Sequence, residues 1–249
     1  MSALGVVCAL DWEAACLPQR ADRLQVVTCG IGAPAARAAA RHLLGRGVSA
    51  LVSFGSAGAL DPGLRAGRLL IPIAVRDARG NEVGVDSRFR GMIATMLRER
   101  GFAVDERPLL QVDAAVTTPA EKAALRQCQW AAGSAAVDME SIAVAIVAAA
   151  AGVPFAGLRV VLDEAGQGLP SEVLASLDSR GRPVAGRLLA ALAKRPGLLL
   201  DLWRLAAAQR RTIRSLRAAG SALQACAAGP DGQRSAGVTV DSWADPGPR

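Results

Sequence analysis

Short runs of Val, Ile and Leu alternate along this chain with Ala- and Leu-rich stretches of helical character. The runs fall at residues 3–10, 24–28, 50–54, 69–75, 109–112 and 155–162, with a short extended piece at 135–137. Helices are expected at 34–44, 88–100 and 141–150, and from Pro119 onward. Pro34 suits a first helical turn, Gly101 suits a helix stop, and Thr118 with Glu121 suits a helix start. Strand and helix in regular alternation predict an α/β domain built on one central sheet, because each element buries one face against the next layer. Aromatic residues are only 3% of the chain, with no Tyr, so aliphatic side chains and Ala must fill the core.

Composition narrows the chemistry. Hydrophobic residues make up 51% of the 249, enough for a large core and too many for a disordered chain. The five cysteines, at 8, 16, 29, 128 and 226, contain no C-x-x-C pair. That fits neither a disulfide framework nor a zinc site, and a reducing cytoplasm is the expected setting. His42 is the single histidine, so no mechanism or metal site needing two histidines applies. No cofactor is expected. Residues 1–10 lack a basic start and Asp11 follows at once, unlike a secretory signal. The uncharged run 141–158 is interrupted by Gly152-Val153-Pro154, and reads as a buried helix feeding a buried strand.

The net charge of +7 is concentrated. Residues 180–217 hold ten Arg or Lys and one acid, Asp201. The catalytic domain is expected over 1–180, basic amphipathic helices over 181–224 (broken at Arg195-Pro196-Gly197), and a mobile tail over 225–249. A nucleic-acid partner is not expected, since scattered aromatics give no stacking groove.

Polar residues interrupt the apolar background where strands end, which is where open α/β sheets place their sites. Asp11 and Glu13 follow the first strand. Gly55-Ser56-Ala57-Gly58, read as a turn, follows the strand at 50–54. Asp138-Met139-Glu140-Ser141 joins an extended piece to a helix, and Asp163-Glu164 follows the last core strand. Singly, such acids are commonly helix caps. Several at one sheet edge would repel unless a ligand or a proton sits among them.

The segments GVVCALDWEA, CGIGAPAA, LVSFGSAGALDPGLRAG and AVDMESIAVAIVAAAAGVPFAGLRVVLDEA, in this order, resemble the nucleoside phosphorylase and nucleosidase superfamily, with the 5′-methylthioadenosine/S-adenosylhomocysteine nucleosidases as near relatives. LLQVDAAVTTPAEKAAL and RPGLLLDLWRLAAAQRRTIRSL are similar to its hopanoid-associated branch, whose members remove adenine from adenosylhopane. The resemblance implies a mixed central sheet, a homodimer or larger assembly, and cleavage of an N-glycosidic bond. It implies Asp163 as the acid that protonates the purine and Glu13 as the group that activates water. Ser56 and Gly58 would lie at the water or phosphate position. Met139 and Glu140 would meet the ribose, with Asp138 beside them and Arg159 orienting these acids. Ala115 and Val116 would flank the purine.

Several positions depart from the nucleosidases. Leu162 stands where they carry a serine that helps fix the acid, so something else must hold Asp163. Ala115 replaces a stacking aromatic, which opens the pocket to a bulky nucleoside. Val52-Ser53-Phe54 stands just before the Gly-Ser pair, where the related phosphorylases often carry an arginine, and Glu13 would repel phosphate, so water is the expected acceptor. Phosphate stays the alternative co-substrate, with Arg37, Arg41 or a partner subunit's arginine to bind it. The expected substrate is a nucleoside with a lipid-like group, which suggests peripheral contact of the basic helices with the inner face of the membrane. A soluble nucleosidase is the competing enzyme reading, and a non-enzymatic binding protein the third.

Overall fold

A computed structural model describes residues 3–18, 23–178 and 181–233, with side chains described to 228. The chain runs β1 (Leu4–Cys8), α1 (Asp11–Ala14), β2 (Leu24–Thr28), α2 (Ala33–Gly45), β3 (Ala50–Ala59), β4 (Leu69–Leu70), β5 (Ala74–Asp77) and β6 (Glu82–Gly84). There follow α3 (Ser87–Glu99), β7 (Val104–Asp105), β8 (Leu109–Gln111), α4 (Pro119–Gln127), β9 (Ala136–Asp138), α5 (Ser141–Ala151) and β10 (Phe155–Asp163). Three helices end it: α6 (Ser171–Ala175), α7 (Ala185–Lys194) and α8 (Leu198–Gln233).

The strands form one mixed sheet flanked by helices. β3 and β10 are its long parallel centre. β1 runs parallel to the first half of β3, while β9 pairs antiparallel with its last residues. Both long strands therefore project beyond β1 and carry their carboxyl ends into a second set of partners.

Side chains alternate across this centre. Leu51, Phe155 and Val161 join α2 and α5 on one face. Val52, Phe54, Leu158 and Val160 join α3 and α8 on the other. Period-two strands between two helical layers explain why β3 and β10 are apolar over most of their length, with Ser53, Ser56, Arg159 and Asp163 as the exceptions. Helix α5 is buried on most sides and packs against α2, where Ala36, Ala39 and Ala40 permit close approach.

Three expectations change. The Gly55–Gly58 segment is not a turn: β3 continues through it, paired with β10 at Gly55↔Arg159 and Gly58↔Asp163. Glycine serves close approach there, because a Cβ on Gly55 would lie 2.5 Å from Arg159 Nη1 and 2.7 Å from Glu13 Oε2. The strand expected at 69–75 is two, β4 and β5, with Pro72 between them. The last helix does not stop near 223 or stand apart from a domain closing at 180. It continues to Gln233, and Leu216, Ala219, Ala222 and Leu223 are buried against β10 and α3. Of the expected tail, 234–249 lie outside the described residues. No described helix is long and apolar enough to cross a membrane.

Candidate active site

The carboxyl ends of β1, β3 and β10 open, with β9, into a cavity of about 450 Å³. Glu13, Ser56, Gly58, Ala115, Val116, Asp138, Met139, Glu140 and Asp163 all line it. Ten site residues were expected from sequence, and Arg159 is the one that lies beneath the wall instead.

Glu13 enters from the third position of α1. Its Oε1 accepts hydrogen bonds from the backbone N–H and the hydroxyl of Ser56, both at 2.7 Å. Its Oε2 accepts from Leu10 N–H at 3.1 Å. Ser56 thus donates twice to the Glu13 carboxylate at the cavity wall. Burial pushes the Glu13 carboxyl above the usual range, opposed by Arg159 and the Ser56 donors. A buried carboxyl held in this way can accept a proton from a water molecule.

Glu140 precedes α5. It is buried, with Oε1 accepting from Gly32 N–H at 2.8 Å across the molecule. Burial, and then the charge of Asp138, push its carboxyl up to about 7. Arg159 is fully buried in β10. Its Nε donates to Asp138 Oδ2 at 2.7 Å, its Nη2 lies 2.6 Å from the same oxygen as an ion pair, and Nη2 donates to Ser53 Oγ at 2.8 Å. Glu140 Oε2 lies 3.7 Å from the same Nη2. Asp138 also accepts from the Ser141 hydroxyl. The carboxylate of Asp138 and the guanidinium of Arg159 are therefore committed to one another. Both are buried, and Arg159 ties the pair to Glu140.

Asp163 ends β10, buried. Facing it is a residue that sequence reasoning missed: Lys122 of α4, with 1% of its surface exposed. Its ammonium donates to Asp163 Oδ2, to Glu164 O at 2.7 Å and to Gln167 O at 3.0 Å. All three hydrogens are used. Burial pushes the Asp163 carboxyl above the carboxylate range, and Lys122 pulls it back. Lys122 is thus the side chain that holds the Asp163 carboxyl. A signal existed in the sequence: 29 residues are Lys or Arg, only two of them Lys, and one of those sits in the first helical turns after Thr118-Pro119, where the helix dipole disfavours cations.

The charged groups lining the cavity, among the described residues, are four acids: Glu13, Asp138, Glu140 and Asp163. Arg37 and Arg41 line a different depression, between α2 and α5, so this chain does not bring them to Glu13. Beyond the acids the wall turns apolar. Leu169, Val173 and Leu177, Leu188 of α7, and Leu202 and Leu205 of α8 line the same cavity.

The Phosphorylase superfamily profile matches residues 20–195, a span that leaves Glu13 outside it. No curated protein matches the sequence. Among solved structures, a mutant of the Helicobacter pylori 5′-methylthioadenosine/S-adenosylhomocysteine nucleosidase, with 5′-methylthioadenosine in its active site, is similar at TM-score 0.63 and 17% identity. It covers 78% of this chain and 99% of its own. The Neisseria meningitidis nucleosidase, in complex with methylthio-immucillin-A, is similar at TM-score 0.63 and 19% identity, covering 90% and 99%. Futalosine hydrolase of H. pylori is similar at TM-score 0.61 and 18% identity, covering 88% and 97%. Identities this low establish a shared fold.

Proposed function

Since this chain belongs to the Phosphorylase superfamily, we propose that it hydrolyses the N-glycosidic bond of an adenine nucleoside bearing a large apolar 5′ substituent, adenosylhopane being the named candidate. The observation that carries this reading is one cavity with two chemistries. Two separately held carboxyls, Glu13 and Asp163, open into it, and its far wall is aliphatic.

Cleavage of a ribosidic C–N bond passes through an oxocarbenium-like state, so the base must leave neutral and a nucleophile must reach C1′. Asp163 gives its proton to purine N7 as the C1′–N9 bond breaks, and the electron pair leaves with adenine. Lys122 then stabilises the carboxylate that remains. An ammonium suits this position because its three hydrogens reach three separate acceptors, Asp163 and the carbonyls of Glu164 and Gln167. Glu140, ionised, accepts hydrogen bonds from ribose hydroxyls and opposes the developing positive charge. Glu13 takes a proton from water as its oxygen bonds to C1′. Water is favoured over phosphate because a dianion would face an acid-lined wall.

The 5′ side of the ribose meets Leu and Val from α6, α7 and α8. At roughly 25 cal/mol per Å² of buried apolar surface, that wall favours a hydrocarbon group over a charged one. The test is incubation with adenosylhopane, 5′-methylthioadenosine and futalosine, with and without phosphate, and assay of free base. Release of adenine from adenosylhopane without phosphate is expected. Strict phosphate dependence with a ribosyl 1-phosphate product overturns hydrolysis. Cleavage of 5′-methylthioadenosine alone returns the soluble nucleosidase, and no release from any substrate removes the enzyme reading.

A further inference from the structure

The outer faces of α7 and the start of α8 do not follow the rule that governs the rest of the surface. Leu189 is 67% exposed, Leu199 63%, Leu200 53% and Trp203 70%. These are the most exposed large apolar side chains among the described residues. The same turns carry inward residues, Leu188, Leu202 and Leu205, that line the catalytic cavity. Two short stretches of helix are thus apolar on both sides, one side facing the cavity and the other facing out. A helix apolar all round belongs in a core or in lipid.

The cations around this patch share its exposure. Arg187 and Lys194 of α7 and Arg204 and Arg210 of α8 are exposed and form no ion pair with a described residue. Arg195 behaves differently: Glu172 at 3.2 Å and Asp201 at 3.0 Å hold it in the turn between the helices. Along α8, Leu199, Trp203 and Arg210 fall on one side, with Leu200 and Arg204 adjacent, so apolar tips come first and long basic stems follow one or two turns later. Trp at an interface, flanked by basic side chains that reach up to phosphates, is the pattern of a helix lying in a bilayer surface.

We propose that this face docks on an anionic lipid bilayer and sets the apolar mouth of the cavity against the membrane. The docking stands on exposure and charge. Its purpose, delivery of a membrane-held nucleoside, rests on the substrate proposed above. A second copy of the chain is the poorer occupant, since a self-complementary contact would bring one basic rim against another.

The test is co-sedimentation of the full chain with vesicles of phosphatidylglycerol and phosphatidylethanolamine, against phosphatidylcholine alone, at low and high salt. Binding at least tenfold stronger to the anionic vesicles, weakening with salt, is expected. The combined variant Leu199→Ser, Leu200→Ser, Trp203→Ser should lose at least tenfold of that binding while keeping the thermal melt of the parent. No binding to anionic vesicles at low salt overturns the proposal, as does binding that the triple variant leaves intact. Sedimentation velocity covers the remaining occupant: a parent oligomer that the triple variant dissociates, without vesicle binding, makes this face a contact between copies and overturns it too. Vesicle binding with no cleavage of adenosylhopane would leave the docking in place and remove only the substrate reading.

Discussion

Lys122 and Asp163 form a pair whose two members come from elements 41 positions apart in the chain. The pair has a bland use, since Lys122 also fastens the backbone of Glu164 and Gln167. The two roles separate on pH. In Lys122→Met the ammonium no longer opposes burial, so Asp163 holds its proton to higher pH and the alkaline limb of kcat/KM moves upward. Turnover should fall by roughly 10²-fold or more, because the carboxylate left after proton transfer loses its partner. A latch alone would lower the melting temperature and leave the limb where it is. Asp163→Asn should fold as the parent does and lose about 10²–10⁴ in kcat; near-parent turnover would take Asp163 out of the acid role. Asp163 was readable from its place after a strand. Lys122 was not, because nothing local says that a lysine in α4 turns inward.

Two elements carry more than their sequence suggested. β3 runs through what reads as a Gly-rich turn, and Gly55 is the reason the site packs. Arg159 and Glu13 meet across the space a methyl would fill. Gly55→Ala must displace one of them, with a cost of about 1–3 kcal/mol in stability and a loss of at least tenfold in kcat/KM. Urea denaturation and steady-state kinetics measure the two. α8 reads as a basic helix beyond the domain, yet its second half fills the layer opposite α2 and α5. Leu216→Ala should therefore cost about 2–5 kcal/mol, the range for a core leucine and well above that for a surface one. Helix periodicity showed the apolar stripe at 198–216; which surface it would meet depended on how β10 and α3 are placed.

At the scale of the whole molecule, acids outnumber cations around the cavity: Glu13, Asp138, Glu140 and Asp163 stand against Arg159 and Lys122. Burial raises Glu13, Glu140 and Asp163 above their ordinary values, so the folded protein binds protons that the unfolded chain releases. Stability contributed in this way is fully present at low pH and is lost as pH rises, for Glu140 between about 4.5 and about 7. The urea midpoint should fall from pH 5 to pH 8, and Glu140→Gln should flatten that fall. Activity runs the other way over the same range, because Glu140 must ionise to hold ribose, and the acid limb of the parent should lie near 7 and lose its Glu140 contribution in Glu140→Gln, leaving that of Glu13. A midpoint that rises with pH would contradict the burial of these acids.

The order of strands and helices, the layers they build, and the four acids at the strand ends followed from the sequence, because hydrophobic period and cap chemistry are local properties of the chain. Tertiary structure decided what holds each of those acids at the cavity. Arg159 holds Asp138, Ser56 holds Glu13, and a lysine from a distant helix holds Asp163. It also decided that α8 lines the cavity with one turn and closes the core with another. Such partnerships depend on distances between segments far apart in the chain, and a local pattern of residue types carries no measure of those distances.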